Sequence, residues 1–269
     1  MSAQQPGHYA VVNGLTIYCE THGPEGKAPP LVLLHGAVGG IEMFGPNLPA
    51  LAQSQRVIAV DLQGHGRTDD IDRPQRYESM ADDIAALIKQ LGFAQADIMG
   101  YSLGGGVALQ TVIRHPQIVR KLVIVSSPFR RAGFYPEVLA IFDQMGPAAA
   151  ADMTQSPLYT LYPNVNWERL FTKVGDLQRQ NFDWSADVAK IKAPTMLVFA
   201  DADAYRPEHI IEFYGLLGGG QHDAGLDGSH RSPNRLAIMP NATHYDLLAT
   251  TAVADVVRPF LDAPNPTRK

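Results

Sequence analysis

Six short, nearly uninterrupted apolar runs punctuate the chain, at residues 31–34, 57–60, 98–99, 122–125, 196–199 and 236–239. A strand without polar alternation must be covered on both faces, and segments of helical periodicity separate these runs. The pattern predicts the α/β class, with a mostly parallel central sheet and helices on both faces. A chain of 269 residues has room for one large domain with an insertion, or for two small ones. Its 45% hydrophobic and 18% charged residues suit a packed core rather than disorder.

Residues 9–12 and 15–20 flank Asn13-Gly14, a strong hairpin signal, so the chain is expected to open with an antiparallel pair. Met80, Ile84, Leu87, Ile88 and Leu91 fall on one helical stripe, which Gly92 stops. Further helices are expected over 103–114, closed by His115-Pro116, over 207–217, with Pro207 in the first turn, and over 243–261. Residues 128–192 break the alternation, holding helical fragments (137–145, 148–153, 167–180) and no strand-like run. They read as a helical cap inserted before the penultimate strand, over the C-terminal edge of the sheet. The core domain is then 1–127 with 193–269. The aromatic and methionine side chains of the cap, among them Phe129, Phe134, Phe142, Met145, Tyr162 and Trp167, suit either a pocket lining or the cap's own core.

The strongest local signal is Gly100-Tyr101-Ser102-Leu103-Gly104, which follows a strand and opens a helix. Such a turn is so tight that the serine backbone is strained and only small residues fit two positions before and after it. It lifts the Ser102 hydroxyl above the sheet edge, over a helix N-terminus that favours developing negative charge. A serine hydroxyl needs a base to take its proton, and the base needs a partner to fix its tautomer. With the chain order serine, acid, histidine, His244 is the candidate base, because it follows the last strand. His222 and His230 are the fallbacks, and His209 lies within a helix. The acid should follow the strand at 196–199. Asp203, further into the loop, fits better than Asp201, which is expected to bond local backbone amides. The candidate oxyanion donors are the amides of Leu103, next to the nucleophile, and Ala37, in the loop His35-Gly36-Ala37-Val38-Gly39-Gly40. His35 is expected to shape that loop and to take no proton.

In these pieces and their order the chain resembles the α/β-hydrolase superfamily over nearly its full length. The matching segments are Leu33-Leu34-His35-Gly36, residues 61–68, residues 100–104, residues 198–203 and Thr243-His244. The resemblance implies a Ser102–His244–Asp203 triad, an oxyanion hole of Ala37 and Leu103, a structural role for 61–68, and a cap that shapes the substrate pocket. The sequence departs from the family in carrying Thr243 where glycine commonly precedes the base histidine. A narrower resemblance links Gln63-Gly64-His65-Gly66-Arg67-Thr68 and the glycine-rich segment 217–234 to bacterial serine esterases that open macrolide lactones.

The expected activity is hydrolysis of a small-molecule carboxylic ester or lactone through an acyl-enzyme. Carbon–carbon bond hydrolases and cofactor-free perhydrolases share such a triad, an acyltransferase would need an acceptor pocket, and a ligand receptor can keep the fold without catalysis. Dehalogenases and epoxide hydrolases need a carboxylate nucleophile, which Ser102 is not. No metal or organic cofactor is expected, since no His, Cys and carboxylate cluster has ligand spacing and His222-Asp223 with His230 is too sparse. The one cysteine, Cys19, permits no internal disulfide and reads as a half-buried strand residue. A net charge of −5 lacks the basic footprint of a nucleic-acid binder. Residues 1–7 show no apolar signal core and no run reaches the length of a membrane span. No membrane partner is expected, and the expected location is cytoplasmic. The segment 217–234, with glycines at 218, 219, 220, 225 and 228, falls between the candidate acid and base. Long loops are often functional, so this one is expected to govern access to Ser102 together with the cap.

Overall fold

In the computed structural model, which describes residues 7–26 and 28–265, Asn13 and Gly14 take φ values of 49° and 79°, as a type I′ turn requires. They join β1 (His8–Val12) to β2 (Leu15–His22) as an antiparallel pair. The remaining strands are β3 (Leu31–Leu34), β4 (Val57–Val60), β5 (Ala96–Tyr101), β6 (Val119–Val125), β7 (Thr195–Ala202) and β8 (Arg235–Thr243). They form one sheet in the order β1-β2-β4-β3-β5-β6-β7-β8, parallel from β4 to β8.

The helices are α1 (Asn47–Leu51), α2 (Tyr77–Gln90), α3 (Leu103–Arg114), α4 (Pro136–Gln144), α5 (Pro157–Leu161), α6 (Trp167–Arg179), α7 (Ser185–Val188), α8 (Pro207–Leu216) and α9 (Ala252–Asp262). Strand side chains alternate between two apolar layers, as a period of two dictates. Val32, Leu34, Ile98 and Ile124 pack with Ile84, Ile88 and Val107 of α2 and α3. Leu33, Met99 and Val123 pack on the opposite face with Leu51, Val253 and Val257 of α1 and α9. Cys19 is fully buried in the first layer rather than half-buried.

Residues between β6 and β7 carry α4 to α7 and a 3-10 helix over Pro147–Gln155, which spans the helical fragment expected at 148–153. The neck of this insertion is closed by the amide of Trp184 on Phe129 O and the amide of Arg131 on Phe182 O, each at 3.0 Å. Its own core joins Ala150, Tyr162, Trp167, Leu170, Phe171 and Val174 above Ala37 and Val38. The Lys173 ammonium ties it to the sheet layer, lying 2.8 Å from both carboxylate oxygens of Asp70.

Two expectations fail for reasons of chain direction and local bonding. The last helix begins at Ala252, not 243. After an irregularity β8 continues to Thr243, which pairs with Ala202, and Asp246 then accepts the Thr243 amide and hydroxyl at 2.6 and 2.9 Å. That turn interrupts the chain before the helix can start. The glycine-rich segment 217–234 does not approach Ser102. It follows α8 and feeds the first residue of β8, Arg235, which pairs with Met196 near the start of β7. The segment therefore sits at the N-terminal edge of the sheet, where Asn234 Oδ1 accepts the Thr195 amide at 2.8 Å.

Three buried histidines make the fold sensitive to acid. His35 donates from Nδ1 to Gly36 O at 2.7 Å and accepts the Leu62 amide on Nε2 at 3.0 Å. Only neutral imidazole can do both. Burial pushes His35 down to about 4, and His65 and His209 to about 3. Their contribution to stability is fully present above the unfolded value of about 6.5 and is lost as pH falls, down to about 4 for His35 and about 3 for His65 and His209. Asp61, raised by burial to about 6, acts in the opposite sense by gaining a proton in the folded state. Near pH 5 unfolding should take up about two protons net, a slope of roughly 2–3 kcal/mol per pH unit. Urea unfolding at pH 7, 6 and 5 measures it, and His65→Asn should remove about one proton from the slope. A flat profile would contradict this account.

Candidate active site

Ser102 is the single residue between β5 and α3 and is held at φ 53°, ψ −115°. A non-glycine residue in such a conformation costs roughly 1–3 kcal/mol and persists only where its surroundings enforce it. Here the enforcement is close packing of helix on strand. A methyl group at Gly100 would lie 2.1 Å from Gly104 O, and one at Gly104 would lie 2.2 Å from Leu34 O. Gly105 gives way to Ser127, and Gly106 makes room for the Tyr77 ring of α2.

The C-terminal ends of β5, β7 and β8 bring Ser102, Asp203 and His244 together. His244 Nε2 is 3.1 Å from Ser102 Oγ, and its Nδ1 is 3.2 Å from Asp203 Oδ1. The Asp203 carboxylate also accepts the amides of Ala200 (2.9 Å) and Ala204 (2.7 Å). Asp201 stays apart. It accepts the amides of Asn241 and Ala242 at 3.0 and 3.1 Å, across to β8 rather than within its own turn. These bonds hold its carboxyl below the usual range and fasten the strand that delivers His244. His222 and His230 lie in the segment at the far edge of the sheet. His209 is buried in α8, stacked on Phe129 with ring centres 4.2 Å apart.

Two contributors were not singled out in the sequence. Ser126, at the end of β6, places its hydroxyl 2.6 and 2.7 Å from the Asp203 oxygens and 2.7 Å from His244 Nδ1. Tyr101 donates its hydroxyl to His244 O and stacks on the imidazole. Tyr101 had a legible signal as the residue before the serine, whereas Ser126 had none without the strand order.

Ala37 and Leu103 line the same cavity as Ser102 and His244, and neither amide is paired with another backbone group among the described residues. Val38 beside them is at φ 60°, a rare conformation for a β-branched residue. Gly39 and Gly40 leave space that Met43 and the Tyr162 hydroxyl fill. The cavity measures about 190 Å³ and its wall includes Tyr77, Phe134, Phe142, Met145, Val174 and Gln178. No Lys, Arg, Asp or Glu is among the described residues that line it. Of the aromatic residues of the insertion, Phe129, Tyr162 and Trp167 are instead packed into apolar cores. Ile141 and Tyr245 stand exposed at the rim.

A model of the alpha/beta hydrolase fold family matches residues 29–139. The pimeloyl-[acyl-carrier protein] methyl ester esterase of Neisseria meningitidis serogroup B strain H44/76 is 32% identical over 254 residues, covering 86% of this chain and 92% of that protein. The chain belongs to the α/β-hydrolase family. A protein of Stutzerimonas stutzeri strain A1501 designated carbamate hydrolase RutD is 33% identical over 208 residues, 68% of this chain and 77% of that one. The crystal structure of the enol-lactonase from Burkholderia xenovorans LB400 shares the fold, with a TM-score of 0.74 at 21% identity, over 95% of this chain and all of that one. This α/β hydrolase thus has esterases among its relatives. Among its described residues no helix is long and apolar enough to cross a membrane.

Proposed function

We propose that this α/β hydrolase cleaves small, uncharged carboxylic esters through an acyl-enzyme on Ser102. The observation that carries this reading is the 3.1 Å contact of Ser102 Oγ with His244 Nε2 at the wall of an apolar cavity. His244 Nε2 takes the hydroxyl proton as Oγ bonds to the ester carbonyl carbon. The amides of Leu103 and Ala37 donate to the developing oxyanion, each supplying about 3 kcal/mol. His244 then gives the proton to the departing alcohol and later activates the water that releases the acid.

The cavity supports a substrate class. A space of about 190 Å³ is slightly larger than one that holds a benzene ring, and smaller than the roughly 300 Å³ at which pockets begin to enclose drug-sized ligands. It favours a compact acyl group over a macrolactone ring. A carboxylate on that acyl group would meet no Lys or Arg among the described residues that line the cavity, and burying a charge without a cationic partner costs several kcal/mol. A fluorophosphonate probe tests the nucleophile, and labelling should fall on Ser102. Among p-nitrophenyl esters, the butyrate should exceed the hemisuccinate in kcat/KM by about 100-fold or more. Equal rates for the two esters would refute the uncharged-acyl assignment, and an unlabelled Ser102 would refute the serine mechanism.

A further inference from the structure

Ser126 places a second oxygen beside the direct contact between acid and base. It is fully buried, and its amide is fixed to Val198 O of β7 at 2.8 Å. Its backbone is held at φ 49°, which a serine adopts only under constraint. Its Oγ is nearer to His244 Nδ1, at 2.7 Å, than the Asp203 carboxylate is, at 3.2 Å.

Resting on the serine-hydrolase reading above, we infer that Ser126 is a positioning residue, which couples the Asp203 carboxylate to His244 through its hydroxyl. The hydrogen count settles the direction of each bond. An ionised carboxylate only accepts, so the single Ser126 hydroxyl proton points to Asp203. The Ser126 oxygen then offers a lone pair to Nδ1, so the imidazole carries its proton on Nδ1. That leaves the Nε2 lone pair facing Ser102, the tautomer a general base needs. No proton changes hands along this chain. When Nε2 becomes protonated during attack, the imidazolium charge is met by an oxygen that the carboxylate polarises.

The inference is tested on the full-length protein by the rate of Ser102 labelling with a small fluorophosphonate, a readout independent of the natural substrate. Ser126→Ala and Ser126→Gly should each slow labelling about tenfold. They should lower kcat on p-nitrophenyl butyrate similarly and leave KM unchanged. The glycine variant accommodates the positive φ without strain, so it separates loss of the hydroxyl from a folding defect. In an Asp203→Asn background the further loss from Ser126→Ala should shrink to less than about threefold, because the two residues act as one unit. The downfield proton signal of His244 Nδ1 should shift in both single variants. A Ser126→Gly enzyme with parental rates would overturn the inference, as would a full tenfold loss repeated in the Asp203→Asn background. An unlabelled parent would instead overturn the serine mechanism, and this inference with it.

Discussion

Replacing Ser102 with alanine is expected to lower ester hydrolysis by about 10⁴-fold or more while leaving the fold in place. Only one oxygen is removed, and it makes no contact on which the sheet depends. The Ser102 amide, bonded to Val125 O at 3.0 Å, is kept. The positive φ, already imposed by Gly100 and Gly104, suits alanine about as poorly as serine, so stability should change by less than about 1 kcal/mol. Residual turnover should come from the amides of Leu103 and Ala37 and from the cavity, which still bind substrate and polarise its carbonyl. The measurement is kcat/KM on p-nitrophenyl butyrate beside a thermal unfolding midpoint. Parental activity in a folded Ser102→Ala variant would place the nucleophile elsewhere.

The sheet and the elbow were legible because their causes are local. Runs such as 31–34 and 57–60 have no polar alternation since both faces are covered, and the helix at 103–114 is bounded by its own glycines and by His115-Pro116. His244 was legible because it follows the last apolar run. Ser126 was not legible, since a serine after a strand resembles any other. Its place against Asp203 and His244 follows only once β6 is known to lie beside β7. The same holds for Asp201, whose partners are on β8.

The glycine-rich segment is a different kind of miss. Lying between Asp203 and His244 in sequence, it is expected beside them in space. In a parallel sheet, however, a helix returns the chain to the N-terminal edge before the next strand starts. The segment after α8 and before β8 had to be on the edge opposite Ser102, and this parity was available from the expected elements alone. Under the proposed function, selectivity would then fall to the walls contributed by α4, α6 and the neighbouring loops, where Phe134, Phe142, Met145 and Val174 meet the cavity.

Asp203→Asn is expected to cut kcat by about 10³-fold, against less than about tenfold for Asp201→Asn. Both Asp203 oxygens already accept backbone amides, from Ala204 on Oδ1 and from Ala200 on Oδ2. An asparagine must therefore turn its NH₂ towards one of these donors, leaving a buried conflict that costs about 1–3 kcal/mol. If the NH₂ takes the Oδ1 side, it also faces His244 Nδ1 and favours the tautomer with a proton on Nε2, which cannot accept one from Ser102. If it takes the Oδ2 side, the tautomer survives, but the negative charge that steadies the imidazolium is gone. Either placement lowers kcat, and neither touches the cavity, so KM should hold. At Asp201 the carboxylate is exposed and serves two β8 amides. An asparagine oxygen keeps one of them, and water satisfies the other. Steady-state kinetics of the two variants beside the parent decide the matter. The reverse ranking would make Asp201 the residue that orients His244 and would show that the contacts of Asp203 serve structure alone.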